Sequence, residues 1–183
     1  MTALDSSKYV PDPRDAAFIR VLLAVGADPH ARIANGNEPL HYAVQQKNPD
    51  FTAVLLQYKA DPNALGSAKN PGLFTALDSP VPDQVLPLLV RAGAHIDAVW
   101  GNNTAVQSAM IGLTWKAAAT LLALGADPAL KNPHGEDAGT VFCSLMARLQ
   151  PTPTHHQPVR SVSDAIKSRG VPLGCGDKLA QFR

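Results

Sequence analysis

The stretch GADPHAR at Gly26–Arg32 is echoed by KADPNAL at Lys59–Leu65, GAHIDAV at Gly93–Val99 and GADPALK at Gly125–Lys131. The shared alanines Ala27, Ala60, Ala94 and Ala126 are 33, 34 and 32 residues apart by subtraction. A self-similar period of that length marks a repeat architecture. Each segment closes an apolar run with helical spacing: AAFIRVLLAV, FTAVLLQY, QVLPLLVRA and KAAATLLAL. Gly26, Gly93 and Gly125 suit the position just beyond a helix end, where the backbone turns left-handed and a side chain would clash. Lys59 takes that place in the second copy, where an unchanged backbone costs on the order of 1 kcal/mol.

A second helix start follows each of the turns: EPLHYA (Glu38–Ala43), TALDSP (Thr75–Pro80), TAVQSA (Thr104–Ala109) and DAGTVF (Asp137–Phe142). Turn, short helix, longer helix and turn at this period resembles the ankyrin repeat, with Pro39, Leu40, His41 and Ala43 the best match to its T-P-L-H-x-A start. The resemblance runs over residues 2–145. It implies an all-α fold: an ankyrin-repeat solenoid of helix-turn-helix units with hairpin fingers, about five repeats including divergent caps. The expected organisation is one domain, 1–183, with a partial repeat at 2–31, central repeats at 32–64, 65–98 and 99–130, and a capping repeat at 131–183 carrying a Pro-rich insertion at 150–159. In this family the histidine of the start motif bonds backbone groups and ties neighbouring turns together, so the resemblance gives His41 a structural role.

The pentapeptide TALDS stands at 2–6 and again at 75–79. Placed at the start of a first helix in the third repeat, it implies the same place in an incomplete first repeat. Leu4 to Ala27 spans 23 residues, against 20 for Leu40 to Ala60. The first repeat should therefore have a longer turn between helices, with Asp12 and Pro13 as N-cap and first helical residue. The chain then begins at a repeat boundary, either as a terminal cap or after a trimmed leader.

With 45% hydrophobic residues and 5% aromatics, the core should be Leu, Val and Ala. A formal charge of +1 supplies no long-range attraction for nucleic acid or anionic membrane. No apolar run approaches the roughly 18 residues that span a bilayer, and no basic start with an apolar core marks a signal peptide. The expected compartment is the cytoplasm, or the periplasm or exterior if a leader preceded Met1.

Chemistry-bearing groups are sparse. Cys143 falls where the family has alanine and is expected to act as a small buried hydrophobe, whereas Cys175 in LGCGD is more exposed. A bond between them would pin the tail in an oxidising compartment. Cys143, His155, His156 and Cys175 offer the donor types of a zinc site, but adjacent histidines and the lack of a C-x-x-C pair argue against convergence on one metal. No motif places a nucleophile with a base and an oxyanion hole, so neither catalysis nor a cofactor is expected. PTPTHHQP reads as a solvated loop, followed by a short helix capped by Ser163 and stopped by Gly170. Pro80, Pro82 and Pro87 predict a short first helix, an irregular entry and a kinked second helix in the third repeat.

The family's fingers and first helices line a groove that contacts a protein partner. Carried over by position, the implied contacts are Arg32, Asn35, Asn37, Gln45 and Gln46, then Lys69, Asn70, Leu73 and Phe74 on a finger about four residues longer than the rest. They continue with Val99, Trp100, Asn103 and Ile111, and with Lys131, His134 and Glu136. Trp100 is the expected anchor, because a two-stranded finger has no interior for an indole; folding back onto the neighbouring finger at Phe74 is the alternative. Trp115 reads as core. The implied protein is a monomer when unbound, a non-enzymatic binder of one protein partner. Small bacterial members of the family include inhibitors, toxin-neutralising immunity proteins, adaptors and stress-related accessory factors, and the alanine-rich GADP style resembles theirs.

Overall fold

The computed structural model describes residues 16–149 and 153–175. The expectations for Thr2–Ser6, Asp12 and Pro13 lie outside the described residues, as does the side chain of His155. The helices are α1 (Ala16–Ala24), α2 (Pro39–Ala43), α3 (Asp50–Gln57), α4 (Gly72–Thr75), α5 (Pro82–Arg91), α6 (Ala105–Ile111), α7 (Trp115–Leu124), α8 (Ala138–Met146) and α9 (Pro153–Ser168). Strands β1 (Val99–Trp100) and β2 (Asn103–Thr104) form one antiparallel hairpin.

The helices lie in two rows. One row packs in the order α1, α3, α5, α7, α9, and the other, in which α2, α4 and α6 are short, in the order α2, α4, α6, α8. The rows meet where α2 packs on α3, α6 on α7 and α8 on α9. Alanines at the crossings, Ala76, Ala105, Ala109, Ala117 and Ala118, are wholly buried and allow close approach. Leu40, Leu86, Leu89, Met110, Leu121, Phe142 and Ile166 fill the space between. Trp115 is buried, edge-on to Phe142 with ring centroids 6.1 Å apart, as its place in the sequence predicts.

The four registered turns share one hydrogen bond. The N–H groups of Ala27, Ala60, Ala94 and Ala126 donate to the carbonyls of Leu22, Leu55, Leu89 and Leu121, each at 3.0 Å, closing α1, α3, α5 and α7 in the same way. The residue before each alanine is left-handed: Gly26 (φ 102°), Gly93 (φ 98°), Gly125 (φ 111°) and Lys59 (φ 68°). Lys59 therefore adopts the glycine conformation with a side chain attached.

Side chains tie successive units. Asn37 Oδ1 accepts from Ser67 N–H at 2.7 Å, Asn63 accepts from His95 N–H at 2.8 Å and donates to the Gly93 carbonyl, and Asp97 accepts from Asp127 N–H at 2.9 Å. At the start of α6, Thr104 N–H donates to Gln107 Oε1, and Gln107 Nε2 donates to the Glu136 carbonyl at 2.7 Å. His41 does only the first half of this. Its Nδ1 accepts from Glu38 N–H at 3.2 Å, and the tie to the next unit falls to Asn37 beside it.

Three sequence expectations are corrected. First, TALDS at 75–79 does not open a helix. It spans the end of α4 and a 3₁₀ turn at Ala76–Asp78. Phe74 lies 20 residues before Ala94, the spacing of Leu40 to Ala60, so Leu73 and Phe74 are helix residues, 2% and 5% exposed, and not partner-facing. The finger of this unit is accordingly not extended by them, and the bridge between Leu65 and Pro71 closes it. Second, the stretch read as a Pro-rich insertion at 150–159 is helical from Pro153, with Pro158 inside α9. Pro153 in the first turn loses nothing, because those N–H groups have no intrahelical partner, whereas Pro158 is the sixth residue and removes one bond of the ladder. Val159, Val162 and Ile166 then bury a helical stripe against α7 and α8, and Ser163, read as a cap, lies mid-helix with its hydroxyl donating to the Arg160 carbonyl. Third, Cys143 and Cys175 are joined by a disulfide. In the third unit α4 is short and the entry to α5 irregular at Val81, as expected, and α5 continues through Pro87 to Arg91.

Two stability changes follow. Lys59→Gly should raise stability by about 1 kcal/mol in urea unfolding, because it relieves the left-handed strain; an unchanged midpoint would contradict that origin. Gln107→Ala should lower stability by about 2–3 kcal/mol, since it leaves the buried Thr104 N–H without its partner, takes one of two donors from the Glu136 carbonyl, which keeps the Asn132 N–H, and opens a void.

Candidate functional site

The fingers are short hairpins with left-handed tips. In the hairpin of β1 and β2, Val99 faces Thr104 and Trp100 faces Asn103, with Gly101 (φ 59°) and Asn102 (φ 68°) between them. Two successive positive φ values make the tight turn whose twist matches that of the strands. The finger before α2 closes by Gly36 N–H to the Ile33 carbonyl at 2.8 Å, and the finger before α8 by Gly135 N–H to the Asn132 carbonyl at 2.8 Å.

Most of the polar residues predicted to face a partner are occupied in building these fingers. Arg32 pairs with the buried carboxylate of Glu38 at 3.0 Å. Asn35 Nδ2 donates to the Tyr42 hydroxyl at 2.9 Å, and Asn37 receives Ser67 N–H. Asn70 Nδ2 donates to Thr75 Oγ1 at 3.2 Å, and Asn103 Nδ2 donates to the Gly101 carbonyl at 3.3 Å. Glu136 accepts from Asn132 Nδ2. Gln45, Gln46, Lys69, Ile111, Lys131 and His134 are exposed.

Trp100 folds back. Its Nε1 donates to the Ala68 carbonyl of the preceding finger at 3.4 Å, and its ring lies 5.8 Å from that of Phe74, tilted by 57°. It remains 36% exposed, so one side of the indole closes a joint between fingers and the other faces solvent. The alternative of a bracing tryptophan, not a free anchor, describes this geometry.

The most exposed apolar residues on the fingers are Ile33, Leu65 and Val99. Leu65 and Val99 both stand five residues after their turn alanines, Ala60 and Ala94, while Ile33 and Trp100 both stand six after theirs, Ala27 and Ala94. Ile33, Leu65 and the exposed Tyr42 were missing from the sequence-based set. The offset from the turn alanine carries the signal, and it was legible. Beside Tyr42, a depression of about 930 Å³ opens between α1, α2 and α3, lined by Ile19, Leu23, Pro39, Phe51 and Leu55.

With both sulfurs in a disulfide, neither Cys143 nor Cys175 supplies a thiolate to a metal. Among the described residues no cluster of histidine, cysteine and carboxylate has metal-holding geometry, and no helix is long and apolar enough to cross a membrane.

If Trp100 braces the fingers, Trp100→Ala should lower stability by about 1 kcal/mol through loss of the ring pair with Phe74, measured by equilibrium urea unfolding. An unaltered midpoint would return the indole to the role of a free anchor.

A search of the curated proteins finds no match for this chain. The family model of the ankyrin repeat matches residues 35–67, which run from one finger through α2 and α3 into the next.

Proposed function

We propose that the chain is an ankyrin-repeat solenoid of about five repeats that binds one protein partner through its fingers and short-helix row, with no catalytic chemistry of its own. Ankyrin repeats generally mediate protein–protein interaction. The observation that carries the reading here is the apolar row at Ile33, Leu65 and Val99. Single exposed hydrophobes are ordinary, but Leu65 and Val99 recur five residues after the turn alanine in adjacent fingers, with Ile33 one residue further along its own finger, and contiguous apolar exposure marks interaction surfaces. Arg32 and Lys131 take the five-residue station in the flanking fingers. Gln45, Gln46 and Lys69 supply hydrogen-bonding groups around the row.

The partner this surface suits is a protein with an apolar ridge and a polar surround. The net charge of +1 gives neither long-range steering nor a reason to prefer nucleic acid. Blocking a partner requires nothing beyond such a surface, so an inhibitor or toxin-neutralising role is the simplest form of the proposal, with an adaptor as the second. The unbound chain is taken as a monomer.

The test is capture from lysate of the source organism with the wild-type chain, Leu65→Glu and Val99→Glu in parallel, followed by titration of the recovered protein. Both substitutions lie on the surface and should leave the circular dichroism spectrum unchanged. The expected result is one protein whose affinity falls at least about tenfold in each variant. Equal affinity in all three would place the binding surface elsewhere.

A further inference from the structure

The described chain does not end with α9. Gly170, left-handed at φ 77°, turns it back, and Val171–Cys175 runs without regular structure across α8. Packing and one covalent bond hold this segment. Val171 is buried. Gly139 of α8 gives the backbone room: a Cβ placed there would meet the Pro172 carbonyl oxygen at 2.8 Å and Val171 Cγ1 at 2.9 Å. Cys143, four residues on and so on the same face of α8, is bonded to Cys175. Among the described residues no main-chain hydrogen bond holds positions 171–175. Leu173 adds a partly buried contact with the core, and beyond it the segment depends on the disulfide.

We propose that the Cys143–Cys175 bond is a redox latch, which clamps the C-terminal segment over α8 and closes that end of the two helix rows. A thiol reductant of the glutathione or dithiothreitol class opens it. A thiolate attacks one sulfur to form a mixed disulfide, and a second reductant thiol resolves it. Two electrons pass to the protein, which gains two thiols, and the reductant leaves as its own disulfide. Opening loosens Pro172–Cys175 and bares Gly139, Cys143 and Ala147, which line a shallow depression under the segment. An oxidising compartment keeps the latch shut, and a reducing one opens it.

The chain has only these two cysteines, so a reductant has a single target. The experiment takes full-length protein, oxidised or treated with dithiothreitol, together with Cys175→Ser, and reads thiol alkylation by mass, amide exchange and melting temperature. The expected result is no alkylation before reduction and two labels after it. Exchange over 139–143 and 172–175 should be at least about tenfold faster in the reduced protein and in Cys175→Ser, with melting lowered by roughly 5–15 °C. Gly139→Ala should make the bond more quickly reducible, since its methyl group wedges the segment away. Free thiols in air-equilibrated protein, or identical exchange in the two redox states, would overturn the proposal.

Discussion

The structure depends on side chains that reach across one unit to bond the backbone of the next. Asn37, Asn63 and Asp97 each accept an N–H from a turn or finger 30 to 32 residues further on. Each bond contributes only about 1 kcal/mol net. Their importance is geometric. They fix the rise and rotation between neighbouring helix pairs, and the wholly buried alanines of α6 and α7 tolerate only that one spacing. A row of short helices has little stability alone, so the register set by these ties lets α2, α4, α6 and α8 bury their apolar residues at all.

The same constraint builds the candidate binding surface. A finger whose asparagines and carboxylates are spent on its own turn and on its neighbour has few polar groups left to cover its apolar ones. Ile33, Leu65 and Val99 stay in water for that reason. Trp100 belongs to both sides of the balance, since its indole N–H and one edge join two fingers while the remainder stays exposed. Exposure and bracing are consequences of one placement.

Much of the fold was legible because its determinants are local. The glycine turns are read from a left-handed requirement, and the four identical turn bonds confirm their register, including the lysine at 59. What misled was identity without spacing. TALDS at 75–79 matched a helix start by composition, yet the 20-residue distance from Phe74 to Ala94 set the true register and buried Leu73 and Phe74. Prolines misled at α9 because its first turn accepts Pro153 at no loss, and the buried stripe of Val159, Val162 and Ile166 outweighs the one bond that Pro158 removes. The disulfide was open in the sequence, which allowed the bond without requiring it: 32 residues separate the cysteines, and the left-handed turn at Gly170 after α9 brings the chain back to α8. Within the site, residue type pointed to Val99 and Trp100, whereas Ile33 and Leu65 emerge only when positions are counted from the turn alanine.

The central claim is that side chains of one unit hold the backbone of the next, and amide hydrogen exchange followed by NMR tests it most directly. Ser67, His95 and Asp127 are all exposed residues, yet each amide donates to the unit before it. The account predicts slow exchange at these three amides and selective loss of protection at Ser67 in Asn37→Ala. Exchange at the rate of an open loop in the wild-type chain would contradict it.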